Sequence, residues 1–197
     1  MEIILLRHST TAGNSENRFN GLTDDPLSEE GVILARRQAG KMPEPQHIYM
    51  SPKTRCRQTA DILWPQTPKT TVNDLTEMSF GPFEGKNHTD LAGSSPYDEW
   101  ALSGGALRVD GVETVEECRL RMQRALAFVL GEAEAQGLER IAIVSHGGAL
   151  ASLLWEAGRP EREGFYDWMP RNCMGFLAQA LAAPLRLQII AEIGEEA

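Results

Sequence analysis

Two histidines and two arginines in this chain are placed where a phosphoryl group could be handled. His8 follows Arg7 at the end of a short apolar run, Ile3-Ile4-Leu5-Leu6, and His146 follows Ser145 at the end of another, Ile141-Ala142-Ile143-Val144. Arg55 lies just beyond a third run, His47 to Met50. Imidazole is a nucleophile or general base near neutral pH, and guanidinium matches phosphoryl oxygens bidentately. Gly147 and Gly148, directly after His146, allow close backbone approach, and a helix opening there would turn its N–H groups toward an anion.

Each apolar run reads as a strand buried on both faces. Between the runs lie helical signals. Ser28 is a fitting N-cap for a helix over Glu29 to Lys41, with acids in its first turn and a base in its last. Ser51-Pro52 reads as a helix start, Ser as cap and Pro in the first helical position, for a helix reaching Leu63. Thr114 and Glu117 form a capping box, after which Val115, Cys118, Met122, Ala125, Leu126, Val129 and Ala133 recur at helical spacing as far as Gln136. Gly147 to Ala157 is the next helix. Ser9 to Asp25 is expected as a loop, Thr70 to Val72 as a short strand, and Glu77 to Gly111 as mostly loop with a helical piece over Asp90 to Leu102. Gly175 to Leu181 and Leu185 to Ile193 read as strands around Ala183-Pro184. Alternation of strands and helices defines an α/β class with a mainly parallel sheet. In such sheets ligands bind beyond the carboxyl ends of the strands, where His8, His146 and Arg55 are expected to meet.

The 197 residues suit one domain with a self-sufficient core, and 42% hydrophobic with 24% charged residues excludes disorder. A net charge of -9 argues against a nucleic-acid or anionic-membrane partner, and no apolar stretch is long enough to span a bilayer. It also means that an anionic substrate needs a locally cationic well. The three cysteines, Cys56, Cys118 and Cys173, lack metal or disulfide spacing, and the N-terminus does not read as a signal peptide, so a cytoplasmic location is expected.

Several motifs resemble those of the histidine phosphatase (phosphoglycerate mutase-like) superfamily. Arg7-His8-Ser9-Thr10-Thr11-Ala12-Gly13-Asn14 is similar to the family pattern Arg-His-Gly-x-Thr-x-x-Asn. Gly21 to Gly31, Ser51 to Ala60, Leu75 to Gly85 and Ser145 to Gly148 resemble the segments that follow in family order. The resemblance implies a three-layer α/β/α sandwich with a mainly parallel central sheet. It also implies that His8 is a nucleophile forming a phosphohistidine, its imidazole kept neutral by nearby Arg7 and Arg55, with Arg7, Arg55 and His146 neutralising the transferring phosphoryl group and Glu77 as proton donor. Asn14 and the Gly147 backbone would help to hold the phosphate. No metal or cofactor is implied, four positive groups standing where a metal ion would. Ser9 departs from the family glycine. Either its backbone is ordinary there or the pocket entrance is altered.

Mutases of the resembling family carry a longer insertion between the proton-donor segment and the second histidine. By that resemblance the short interval from Glu77 to His146 implies a phosphatase acting on a small phosphorylated metabolite, similar to small bacterial members such as alpha-ribazole phosphatase. A cofactor-dependent mutase and a non-catalytic phosphate-binding module are the alternatives. Residues 78–111 would form a loop-rich lid, and a homodimer is a base-rate expectation. His47 and His88 carry no such context, Arg57 reads as a surface charge, and Glu84 as part of a structural turn. Phe83, Tyr97, Trp100 and Trp168 could line a substrate pocket or cover the core. Glu192 to Glu196 reads as a solvated tail.

Overall fold

The computed structural model describes residues 1–181 and 185–194. Ala183-Pro184 and Glu195-Glu196 therefore lie outside the described residues. Seven strands form one sheet: β1 (Glu2–Arg7), β2 (His47–Met50), β3 (Lys69–Thr71), β4 (Arg140–Ser145), β5 (Gly158–Arg159), β6 (Gly175–Leu181) and β7 (Arg186–Ile193), in the order β3-β2-β4-β1-β6-β7-β5. Strands β1 to β4 run parallel; β6 runs antiparallel to both β1 and β7, and β5 parallel to β7.

The helices are α1 (Ala12–Ser15), α2 (Glu29–Gln38), α3 (Thr54–Leu63), α4 (His88–Leu91), α5 (Ser95–Leu102), α6 (Val115–Ala135) and α7 (Gly147–Ala157). Alternate residues of the central strands point to opposite faces. Ile3, Leu5, Ile141 and Ile143 join the apolar faces of α6 and α7 in one cluster. Ile4, Leu6, Ala142 and Val144 join α2 and α3 in the other. This is the expected three-layer sandwich with a mostly parallel sheet.

The α6 stripe buries Cys118, Met122, Ala125, Leu126, Val129 and Ala133, and the Thr114–Glu117 capping box is made. Ser28 caps α2 through the Gly31 N–H. Other expectations need correction. The helix expected from Ser51-Pro52 begins at Thr54 with Lys53 as N-cap, while the Ser51 hydroxyl accepts from the Lys53 N–H at 3.3 Å and also faces His146. The loop after Ser9 contains α1, capped by Thr11. The expected piece over Asp90 to Leu102 is two short helices, α4 and α5. The acidic run begins inside β7, where Glu192 pairs with Arg162 at 2.7 Å. Among the described residues no helix is long and apolar enough to cross a membrane.

Candidate active site

Strand register brings the reactive side chains together. Arg7 lies opposite Ser145 and Met50 opposite Val144, so β1, β2 and β4 release His8, Ser51 and His146 side by side at their carboxyl ends. The His8 N–H donates to the Ser145 carbonyl at 2.9 Å. The His8 and His146 rings meet edge to face, centroids 5.1 Å apart. A cavity of about 440 Å³ opens above them, lined at its inner end by Arg7, His8, Asn14, Arg55, Glu77 and Gly147. His146 is wholly buried beneath it. A larger depression, about 850 Å³, lies at the amino ends of β1 and β4, where Glu2, Glu44, Glu134 and Glu139 would repel an anion.

His8 Nδ1 lies 2.6 Å from the Ser9 carbonyl. A carbonyl only accepts, so Nδ1 carries the proton and Nε2 keeps its lone pair. His146 is held in the same protonation pattern with its nitrogens reversed. Its Nδ1 accepts from Arg55 Nε at 3.2 Å, so its proton sits on Nε2, toward Ser51 Oγ at 2.8 Å. Burial, then the neighbouring Arg55 guanidinium, pushes both imidazoles well below their ordinary pKa, with Arg7 adding to the effect. His8 is neutral as expected beside two arginines, whereas the expected positive charge on His146 is corrected: before an anion binds, the well consists of two guanidiniums beside two neutral imidazoles.

The guanidiniums are held by carbonyl oxygens rather than by ion pairs among the described residues, though Arg7 feels the nearby Glu77 charge. Arg55 donates to Thr23 O at 2.7 Å and Asn20 O at 3.0 Å, and Arg7 Nη1 to Pro170 O at 3.0 Å. The buried Arg7 Nε has no hydrogen-bond partner. Such a donor is costly unless a ligand completes it. Asn14 uses Oδ1 to accept from Thr11 and from Asn172 Nδ2, which leaves its own amide N–H groups outside that network.

Glu77 sits at the amino end of α7. Its Oε1 accepts from the Met78 and Ala149 N–H groups, at 2.9 and 2.8 Å, and its Oε2 from the Gly148 N–H at 3.0 Å. A β-carbon on Gly148 would stand 2.9 Å from Oε1, so only glycine admits the carboxylate there. Oε2, with one donor, retains a lone-pair position for a proton. The segment carrying Glu77 is clamped by Arg121 of α6, which donates to Asp74 O and Thr76 O and pairs with Glu113 at 2.6 Å.

Ser9 is fully buried with its Oγ donating to the Gly31 carbonyl at 2.7 Å, and its N–H donates to Thr59 Oγ1. It is not among the residues with positive φ. Of the two possibilities for Ser9, the ordinary backbone holds, and its side chain points away from the cavity.

Glu84 accepts from the N–H groups of Gly21, Leu22 and Phe80, a structural carboxylate as expected. Arg57 is exposed, and His47 is half-buried against Thr70. His88, expected to lack a site context, instead lines the cavity with its Nδ1 bonded to the Tyr97 hydroxyl. The four undecided aromatics divide: Tyr97 and Trp100 line the cavity, whereas Phe83 and Trp168 are buried away from it. Ser51, Asn172 and Arg121 were missed. Ser51 carried a usable signal, its position after a strand; Asn172 carried none, because its partners His8 and Asn14 lie more than 150 residues away, and Arg121, though near Glu113 in sequence, gave no sign of the Asp74 and Thr76 carbonyls it clamps.

The lowered histidines also couple folding to pH. The unfolded chain takes up two protons below the ordinary imidazole pKa of about 6.5 that the folded chain refuses, so stability is present above that pH and lost below it. Urea unfolding should show less stability at pH 5.5 than at pH 7.5, with a smaller loss in His8→Ala. Equal losses in the two proteins would remove His8 from this linkage.

Fold and site together define an α/β protein with a mostly parallel sheet and a cationic pocket at a strand-end imidazole. The profile of the histidine phosphatase superfamily (branch 1) matches residues 3–174, and the chain belongs to that family. It is 30% identical over 168 residues to phosphoglycerate mutase-like protein 4 of Arabidopsis thaliana, covering 81% of this chain and 71% of that one. Its fold is similar to a putative alpha-ribazole-5'-P phosphatase from Escherichia coli, with TM-score 0.80 and 23% identity over 100% of this chain and 99% of the other. It is also similar to a phosphoglycerate mutase from Thermus thermophilus, with TM-score 0.73 and 26% identity over 100% of both chains.

Proposed function

We propose that this protein is a metal-independent phosphomonoesterase that hydrolyses a small phosphorylated metabolite through phospho-His8. The observation that carries the reading is the His8 imidazole, held neutral and with Nδ1 committed to the Ser9 carbonyl, beside two guanidiniums that no carboxylate pairs among the described residues.

In the first step the Nε2 lone pair attacks phosphorus while the P–O ester bond breaks, and Glu77 gives its proton to the departing alkoxide. Arg7 and Arg55 balance the charge on the equatorial oxygens, with His146 as a neutral partner that holds Arg55 in place, and Asn14 and the Gly147 backbone support the phosphate. In the second step water attacks the phosphohistidine and returns its proton to Glu77. Inorganic phosphate leaves and His8 regains its lone pair. A mutase would use the same first step but return the phosphoryl group to an organic hydroxyl.

The two reactions separate on product. Phosphatase activity gives one inorganic phosphate per ester consumed, with a chelator present throughout. Interconversion of 2- and 3-phosphoglycerate without phosphate release would overturn the proposal. Glu77→Gln should lower kcat about 10²–10⁴-fold, the usual contribution of general acid catalysis, with vanadate affinity nearly intact. Equal loss of both would assign Glu77 to shaping the α7 terminus alone. We also propose a cytoplasmic monoester as substrate and no nucleic-acid partner, in keeping with the net charge of -9.

A further inference from the structure

The outer half of the cavity differs in chemistry from the inner half. Beyond Arg7 and Arg55 its wall is built from Phe19, Phe80, Tyr97 and Trp100, with His88 between them. The rings brace one another: Phe19 lies 5.0 Å from Phe80, 5.1 Å from His88 and 5.8 Å from Trp100, centroid to centroid. Tyr97 is fixed by its hydroxyl on His88 Nδ1. Among the described residues the one further cation lining this space is Arg18, which is half-exposed and already paired with Glu16. A second anionic group on a substrate would therefore lose water to an aromatic wall and gain no free cation. The buried indole N–H of Trp100 has no partner.

We infer that the site selects monoesters whose alcohol carries a flat aromatic ring and no second anion, the phosphate at Arg7–Arg55 and the ring against Tyr97 and Trp100. The inference rests on the phosphomonoesterase reading and narrows it. Aromatic faces give a ring edge-to-face and stacked contacts beyond the burial of its area. The cavity, about 440 Å³, is large enough for both parts of such a molecule.

The test compares 2-phenylethyl phosphate with ethyl phosphate, whose leaving alcohols are similar in acidity, and with 3-phosphoglycerate. The expected kcat/KM for the phenylethyl ester exceeds that for the ethyl ester by on the order of tenfold to hundredfold. The phosphoglycerate should be no better than the ethyl ester. Trp100→Ala should bring the phenylethyl-to-ethyl ratio close to one, and Trp100→Phe should keep most of it. A ratio near one in the wild type, or phosphoglycerate as the best substrate, overturns the inference while leaving the phosphatase reading in place. Equal loss on both esters in Trp100→Ala also overturns it, marking the indole as packing alone. Absence of phosphate from every ester defeats the phosphatase reading itself. Calorimetric binding of 2-phenylethyl phosphate, tighter than ethyl phosphate or not, then decides the aromatic wall separately.

Discussion

Replacing His8 with alanine is expected to lower phosphate release from p-nitrophenyl phosphate by at least about 10⁴-fold, because nothing else in the cavity replaces a lost covalent nucleophile. His146 is the other imidazole nearby, but its Nδ1 is occupied by Arg55 and its Nε2 faces Ser51, so it offers no lone pair to phosphorus. The same substitution should abolish the acid-labile label that a radioactive monoester leaves on the wild-type protein. Release that survives in His8→Ala would sink the covalent route. A wild type that binds vanadate but releases no phosphate would point to the non-catalytic alternative.

Arg55→Ala is the second large effect. Its guanidinium is fully buried, donates to three loop carbonyls between Asn20 and Thr23, and holds His146 by Nε. It thus supplies charge to the phosphoryl group and order to the loop that faces it. An arginine that stabilises a phosphoryl transition state is worth about 10³–10⁵ in rate, and kcat/KM should fall within that range. Arg55→Lys should recover only a small part, since an ammonium cannot reach the carbonyls, His146 and a phosphate oxygen with one planar fork. A loss below tenfold in Arg55→Ala, in protein whose thermal unfolding remains cooperative, would show that Arg7 alone forms the well.

Element types were legible wherever burial imposed a period. The α6 stripe, the Thr114 box and the two central strands were readable because one face of each is committed to the core. The start of α3 was misread for a physical reason. Ser51 and Pro52 have the local chemistry of a helix opening, and the Ser51 hydroxyl does accept from the Lys53 N–H, but it is shared with a buried His146 nitrogen and the regular helix begins two residues later, at Thr54. His88 was passed over because nothing in Asn87 or Thr89 indicates an aromatic partner; its context comes from Phe19 and Tyr97, residues from separate segments.

Residue order alone indicates which groups could do chemistry and at which strand ends they lie. Strand periodicity and the motif order leave Arg7, His8, Arg55, Glu77 and His146 little freedom of place. Which imidazole nitrogen carries its proton, and that His146 is neutral as well as His8, came from the folded chain, because these depend on the carbonyl or guanidinium that folding brings against each ring. Folding set the Ser9 carbonyl on His8 Nδ1 and Arg55 on His146, and it gathered Phe19, Tyr97 and Trp100 into one wall. Local preference follows from neighbours in the chain, whereas electrostatics and cavity shape follow from neighbours in space.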